Sequence, residues 1–294
     1  MRLRSIELNV PRAVAARYFF THIWGLADAG SRGQTHYLRG SGELPYLVSL
    51  TEADAPSIRC TTFVGTVDEV SDIAIRARAI GAPCQDTVSD DLGGGRGLMV
   101  QLPEGEVLRF LHGDTTVAPI EGRDLPVKLT HVVMNSADAE ATADFAEAVL
   151  GFKVSDRTKG MVFVRCNTSH HSTAFARAGF TSLNHIAFEM QDLDAVMRGI
   201  GRMRDNGAVP AWGPGRHGPG DNVFAYFIAP FGAVVEFSTA VEIVPDDYRV
   251  GVPEDWTWPE GRIDQWGMSD KDLTNLGVAE RTFRYLPLTC PPLS

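Results

Sequence analysis

The chain of 294 residues repeats itself. Leu150-Gly151-Phe152 in the second half lines up with Trp24-Gly25-Leu26 in the first, inside a matching unit of roughly 120 residues. Whatever one half folds into, the other must also fold into. In the second half the apolar run around His131 leads into a helical stretch, Ser136–Leu150, with Ser136 as the expected N-cap and Gly151 as the stop. The first half matches it with Ile6–Val10, a helix through Tyr18–Phe19 and the stop at Gly25. Farther on, the run around His185 precedes a helix capped by Asp192, with Leu193, Val196, Met197, Ile200 and Met203 on one face. Its counterpart is Cys60–Val64 followed by Val67, Val70, Ala74, Ala77 and Ile80. Each half closes on a glycine-bounded strand, Gly105–Phe110 and Gly232–Phe237.

The expected fold class is therefore α+β, with two similar domains each built from tandem βαβββ modules. Their expected limits are residues 1–118 and 126–245, with Gly113–Val127 as the linker. The aperiodic tail, residues 246–294, carries Trp256, Trp258 and Trp266 and is expected to pack over the body. Gly93–Gly97 precedes a strand rather than a helix, so it reads as a hairpin loop instead of a phosphate cradle. Gly213–Gly220 reads as a flexible loop.

Composition narrows the function. Apolar content of 44% and charged content of 22% are those of a soluble globular protein. No apolar stretch reaches the roughly 18–20 residues of a membrane span, and the N-terminus carries no leader pattern. A net charge of -10 without a basic stripe argues against nucleic acid as a partner. Cys60, Cys84, Cys166 and Cys290 lie far apart, as free thiols of a reducing compartment do. A cytoplasmic protein acting on a small molecule is the expectation.

The duplication exposes the chemistry. His131, His185 and Glu236 each interrupt an apolar, strand-like run, where a titratable side chain costs free energy unless something pairs with it. Two imidazoles and one carboxylate are the facial triad of non-haem Fe(II) oxygenases. The alignment sets His131 opposite Glu7, His185 opposite Cys60 and Glu236 opposite Arg109. A set that includes a cation would bind iron poorly, so the first half reads as scaffold and the second as the metal-bearing half.

Two further motifs accompany the trio. One is Gly215-Arg-His217, then Tyr226-Phe-Ile-Ala-Pro230-Phe-Gly232 running on to Glu236. Its spacings are nine residues from His217 to Tyr226 and ten from Tyr226 to Glu236. The other is Arg165-Cys-Asn-Thr-Ser-His-His171-Ser-Thr-Ala-Phe175, with His171 fourteen residues before His185. Over about residues 1–240 the chain resembles the type I extradiol ring-cleaving dioxygenases of the vicinal oxygen chelate superfamily. Ala225 stands where that family has a larger apolar residue, and Asn184 where many relatives have a second His.

The resemblance implies extradiol cleavage of a catechol-type substrate with O2 at one Fe(II), Mn(II) being an alternative ion. His131, His185 and Glu236 would be the metal ligands. His171 would be the acid–base catalyst beside dioxygen, and His217 and Tyr226 would hold the substrate oxygens. His170 is expected on the opposite face of its strand, and His22, His36 and His112 are expected to be structural. Relatives of this kind are commonly homo-oligomers. Three rival readings share the fold: a glyoxalase, which draws ligands from both halves, a 4-hydroxyphenylpyruvate dioxygenase-like enzyme, and a metal-free binding protein.

Overall fold

A computed structural model describes residues 1–122 and 124–288. Among these residues the first half forms eight strands. They are β1 (Arg2–Val10), β2 (Ala27–Arg32), β3 (Thr35–Arg39), β4 (Val48–Glu52), β5 (Ser57–Val64), β6 (Cys84–Val88), β7 (Arg96–Gln101) and β8 (Val107–His112). The second half forms β9 (Lys128–Ser136), β10 (Lys153–Arg157), β11 (Met161–Arg165), β12 (Thr173–Arg177), β13 (Ser182–Glu189), β14 (Trp212–Arg216), β15 (Val223–Ile228) and β16 (Val234–Thr239). Helices α1 (Ala13–Tyr18), α2 (Val67–Ala79), α3 (Ala139–Phe145) and α4 (Leu193–Asp205) follow β1, β5, β9 and β13. The tail adds α5 (Leu273–Ala279) and the short strand β17 (Arg284–Tyr285).

Both sheets have one topology. Their orders, β2-β3-β4-β1-β5-β8-β7-β6 and β10-β11-β12-β9-β13-β16-β15-β14, correspond strand for strand, as the tandem βαβββ reading requires. The central pairs even share their irregularities. In β9 and β13, His131 faces Ala187 and His185 faces Val133, while Thr130 and Asn184 bulge out. In β1 and β5, Ser5 faces Thr62 and Glu7 faces Cys60, while Arg4 and Arg59 bulge out. Ser5 is thus the counterpart of His131, and Glu7 is that of Val133. This corrects the expected match of His131 to Glu7. A slip of two residues leaves every side chain on its own face, so apolar alternation cannot detect it.

Alternation along the strands separates two environments. Val132, Met134, Ile186, Phe188, Val235 and Phe237 join the apolar core under the helices. His131, Val133, Asn135, His185 and Tyr226 face a cavity on the other side. Helix termini differ from the sequence expectation in detail. Asp138, not Ser136, caps α3, its side chain accepting from Ala141 N; Ser136 still belongs to β9. Asp192 caps α4 as expected. On α4, Val196, Ile200 and Met203 are buried with Ala195 and Gly199, whereas Leu193 and Met197 are exposed. Gly93–Gly95 lie in the β6–β7 connection as expected, but Gly213–Arg216 belong to β14 rather than to a loop.

Two arginines dock the halves reciprocally. After α1 and α3 the chain runs through π-helical turns, Phe19–Trp24 and Ala146–Leu150, closed by Gly25 and Gly151 at positive φ. Arg76 of α2 donates from Nε to Val149 O at 2.7 Å, and Arg202 of α4 donates from Nε to Ile23 O at 2.8 Å. Each arginine is the tenth residue of its thirteen-residue helix, and each answers an otherwise orphaned C-terminal carbonyl of the other half. A Cβ on Gly25 would stand 2.6 Å from Arg202 Nη2, so the turn glycine also makes room for the guanidinium. Beside this contact Trp24 stacks on Phe237, with ring centroids 3.6 Å apart.

The tail ties the halves a second time. β17 pairs with β5 in the first sheet, and Phe283 O accepts from Leu183 N in the second. Among the described residues no helix is long and apolar enough to cross a membrane. Cys60, Cys84 and Cys166 are free; Cys290 lies outside the described residues. Replacing Arg76 or Arg202 by Met should each lower the unfolding free energy by about 1–3 kcal/mol, because each strands a half-buried carbonyl. Urea unfolding curves of the two variants and the parent chain measure this, and unchanged midpoints would contradict the docking role.

Candidate metal centre and its cavity

Three neighbouring strands assemble the site. His131 lies on β9, His185 on β13 and Glu236 on β16, and Ala187 of β13 faces both His131 and Glu236 across the sheet. His131 Nε2, His185 Nε2 and Glu236 Oε2 form a triangle with sides of 3.2 Å. All three residues are buried, and among the described residues this trio has its donor atoms within 4.8 Å of one another. An octahedral divalent ion about 2.1 Å from its ligands sets adjacent donors about 3.0 Å apart. The donor set and its spacing therefore fit one face of such an ion.

Neighbouring side chains fix how each donor is presented. His185 Nδ1–H donates to Asn184 Oδ1 at 2.6 Å, and Asn184 Nδ2 donates in turn to Asn135 Oδ1 at 2.8 Å. That bond commits the proton of His185 to Nδ1 and leaves the Nε2 lone pair facing the triangle. The bulge at Asn184 makes this possible, since it puts two consecutive residues on the cavity side. His131 has no such partner on Nδ1 and is held by ring packing against His171, centroid to centroid 4.2 Å. Asn222 Nδ2 donates to Glu236 Oε1 at 3.3 Å. Burial alone would raise the Glu236 carboxyl, but His131 and His185 outweigh it and hold the group below the ordinary carboxylate range.

The remaining candidates surround the triangle. His171 lines the cavity; burial first, then the neighbouring imidazoles, keep it well below its ordinary pKa and so neutral. His217 and Tyr226 meet at 3.0 Å between Nε2 and the phenolic oxygen. Burial pushes His217 down to about 3 and Tyr226 well above its usual value, so both are held in their neutral forms. Trp212 stacks on Tyr226 at 5.3 Å, and Phe224 on His217 at 4.0 Å. Neither His170 nor His171 lies within β12, which begins at Thr173, so strand alternation does not set their directions. His170 is fully buried behind His171 rather than turned away from it.

The cavity holds about 920 Å³ and takes its walls from the second half and the tail. Trp256, Trp258, Ile263, Lys271, Leu276 and Glu280 belong to that tail. A Cβ on Gly218 would stand 2.0 Å from the Trp258 ring, which shows how closely the tail closes over the loop after β14. Lys271 Nζ sits 4.4 Å from the centroid of Trp212. Sequence reading missed Asn222, Trp212 and Lys271, and it treated Asn184 only as a departure. His22, His36 and His112 are not among the cavity residues.

The first half fills the equivalent position with a guanidinium. Arg109 Nη2 lies 3.0 Å from Glu7 Oε1, and Nη1 lies 2.7 Å from Asp91 Oδ2. Tyr46, Thr62 and Cys60 also donate to Glu7, at 2.9, 2.9 and 3.2 Å. Burial and the nearby Glu7 charge keep Cys60 a thiol. The cation expected from the sequence is thus built into the protein, and this cluster is fully occupied by its own side chains.

Comparison with known proteins bears on the fold and the family. Residues 128–237 match the Glyoxalase/Bleomycin resistance protein/Dioxygenase superfamily. Metapyrocatechase 2 of Cupriavidus necator is 30% identical over 154 residues, 49% of this chain and 46% of that protein. The chain therefore spans about half the length of the curated relatives it matches. The crystal structure of the Mn(II)-bound glyoxalase from Novosphingobium aromaticivorans matches with TM-score 0.85 and 29% identity, over 93% of each chain. A room-temperature structure of an extradiol ring-cleaving dioxygenase from B. fuscum matches with TM-score 0.81 and 20% identity, over 91% of this chain and 79% of that one.

Replacing Asn184 by Leu should weaken Fe(II) or Mn(II) binding by about 10–100-fold, the usual effect of removing a partner that orients a ligating His. Competition titration against a chelator measures it, with one ion bound per parent chain as the reference; two ions per chain would contradict the reading of the Arg109 cluster. From the matching sheets, the repeated bulges and the likeness to solved structures, the chain has the vicinal oxygen chelate fold, and residues 128–237 match the Glyoxalase/Bleomycin resistance protein/Dioxygenase superfamily.

Proposed function

We propose that the protein is an extradiol dioxygenase that opens a catechol-type ring with O2, using one Fe(II) held by His131, His185 and Glu236. The observation that carries this reading is the donor triangle with its 3.2 Å sides, facing a cavity that also presents His171 and the His217–Tyr226 pair. When bound, Fe(II) would supply open coordination positions, Lewis acidity toward a hydroxyl group and an electronic link between substrate and dioxygen. Two neutral imidazoles and one carboxylate leave a divalent ion with net positive charge, which favours an anionic catecholate. Mn(II) is served by the same donors.

The surrounding side chains divide the proton work. Tyr226, a neutral phenol paired with His217, is placed to hold a substrate oxygen at the cavity wall. His171, neutral and at the cavity wall beside His131, is placed to take a proton and return it. The aromatic walls of Phe163, Trp212, Trp256 and Trp258 exclude water and stack on a planar ring. A volume of about 920 Å³ is near the top of the ordinary small-molecule range of about 300–1,000 Å³. A bicyclic catechol fills it better than a single ring.

A second reading, glyoxalase chemistry, is favoured by the full-length match to the N. aromaticivorans glyoxalase. A metal site shared between halves would need donors from the first half, and there Arg109 occupies the equivalent position. With Fe(II)-loaded protein, the expected result is uptake of one O2 per catechol and a yellow ring-opened product, fastest with bicyclic catechols. Replacing His171 by Ala should lower kcat by about 10²–10⁴-fold. Isomerisation of a thiol–ketoaldehyde adduct without oxygen uptake would instead select the glyoxalase reading.

A further inference from the structure

We propose that Asp156 and His170 form a buried relay that fixes which nitrogen of His171 carries its proton, and so keeps the other nitrogen bare toward the cavity. The inference rests on the dioxygenase reading only for the use made of His171. Asp156 and His170 are positioning residues. Neither lines the cavity, and both are completely buried.

The bond directions of the relay start from the carboxylate. Asp156 Oδ2 lies 2.7 Å from His170 Nε2, and a carboxylate only accepts, so Nε2 carries the proton. In the proposed relay His170 carries only that proton and has a bare Nδ1. That atom lies 3.0 Å from His171 Nδ1, so His171 must donate from Nδ1 and leave its own Nε2 unprotonated. When His171 Nε2 takes a proton from a substrate hydroxyl, an O–H bond breaks and an N–H bond forms. The resulting positive ring already donates toward His170, with the Asp156 carboxylate beyond. A carboxylate that orients a general-base imidazole in this way is a recurrent device.

The relay is built rigidly. His170 N donates to Glu242 O at 2.9 Å, and the His170 ring lies against those of Phe163 and Tyr248, with centroids 5.8 and 5.9 Å away. Two glycine backbones seal it. A Cβ on Gly220 would stand 3.0 Å from His170 Nδ1 and 3.2 Å from His171 Nδ1. A Cβ on Gly251 would stand 2.4 Å from Asp156 Oδ1. Gly251, from the tail, also donates its N–H to Asp156 Oδ1 at 2.8 Å.

That last bond makes Asp156→Asn a directed test. Gly251 N–H holds the amide oxygen in the Oδ1 place, so the amide NH2 must face His170 Nε2 and donate to it. His170 then carries its proton on Nδ1, and His171 on Nε2. Full-length protein with ¹⁵N-labelled histidine and Zn(II), a diamagnetic ion, reports both tautomers by NMR. The parent chain should show His171 protonated on Nδ1, and D156N should show it protonated on Nε2. In the Fe(II)-loaded enzyme D156N should lower kcat by about 10²–10⁴-fold with KM nearly unchanged. A parent chain with His171 protonated on Nε2 overturns the relay without any variant, should D156N fail to fold. An unchanged tautomer in folded D156N overturns it too. A parent chain with the expected tautomers but no turnover of catechols supports the relay and counts against the dioxygenase reading alone.

Discussion

The structure depends on one electrostatic constraint, applied twice. Each sheet carries ionisable side chains at its centre, where a charge is expensive unless paired and hydrogen-bonded. The first half meets the constraint internally: the Arg109 guanidinium lies between Glu7 and Asp91, with hydroxyls and a thiol on the remaining lone pairs. The second half leaves it open. Glu236 is completely buried, and its Oε2 and the Nε2 atoms of His131 and His185 converge at 3.2 Å from one another. By register, the Arg109 guanidinium of the first half stands at the strand position where the second half has the Glu236 carboxylate.

The reciprocal arginines explain why the two halves keep matching geometry despite unlike sites. Arg76 and Arg202 each close the other half's π-helical turn, and Trp24 of the first turn stacks on Phe237 of β16. The side chains that dock the halves lie on the helix-covered face of the sheets. The site chemistry lies on the opposite face. Because successive residues of a strand alternate between these faces, one face can diverge while the other stays fixed.

That separation also decides what was legible in the sequence. The βαβββ repeat and the His131–His185–Glu236 trio could be read from apolar runs interrupted by polar residues, because period and interruption are local signals. The register of β1 could not. Ser5 and Glu7 share a face, so only the paired bulges at Arg4 and Arg59 reveal that Ser5, not Glu7, is the counterpart of His131. Asn184 was visible but looked like a missing histidine, because its value lies in a bulge that turns it to the same side as His185. Arg76 and Arg202 were visible as identical residues at equivalent helix positions, yet their task appears only when the halves meet. Asp156, Asn222 and Lys271 gave no local signal, since each acts through a contact with a distant segment.

The tail shows how an aperiodic segment gains a defined role. With no apolar period it cannot make a core of its own, and its residues settle instead on the polar and aromatic features that the second sheet leaves uncovered. Trp258 packs on Gly218, Lys271 stands over Trp212, and Gly251 binds Asp156. Two of these contacts form the cavity wall, while the third reaches the buried side of His170. The tail therefore bears on both the size of the space beside the donor triangle and the orientation of the imidazole next to it. Sequence changes in a segment with no repeat partner can adjust both without disturbing the duplicated frame.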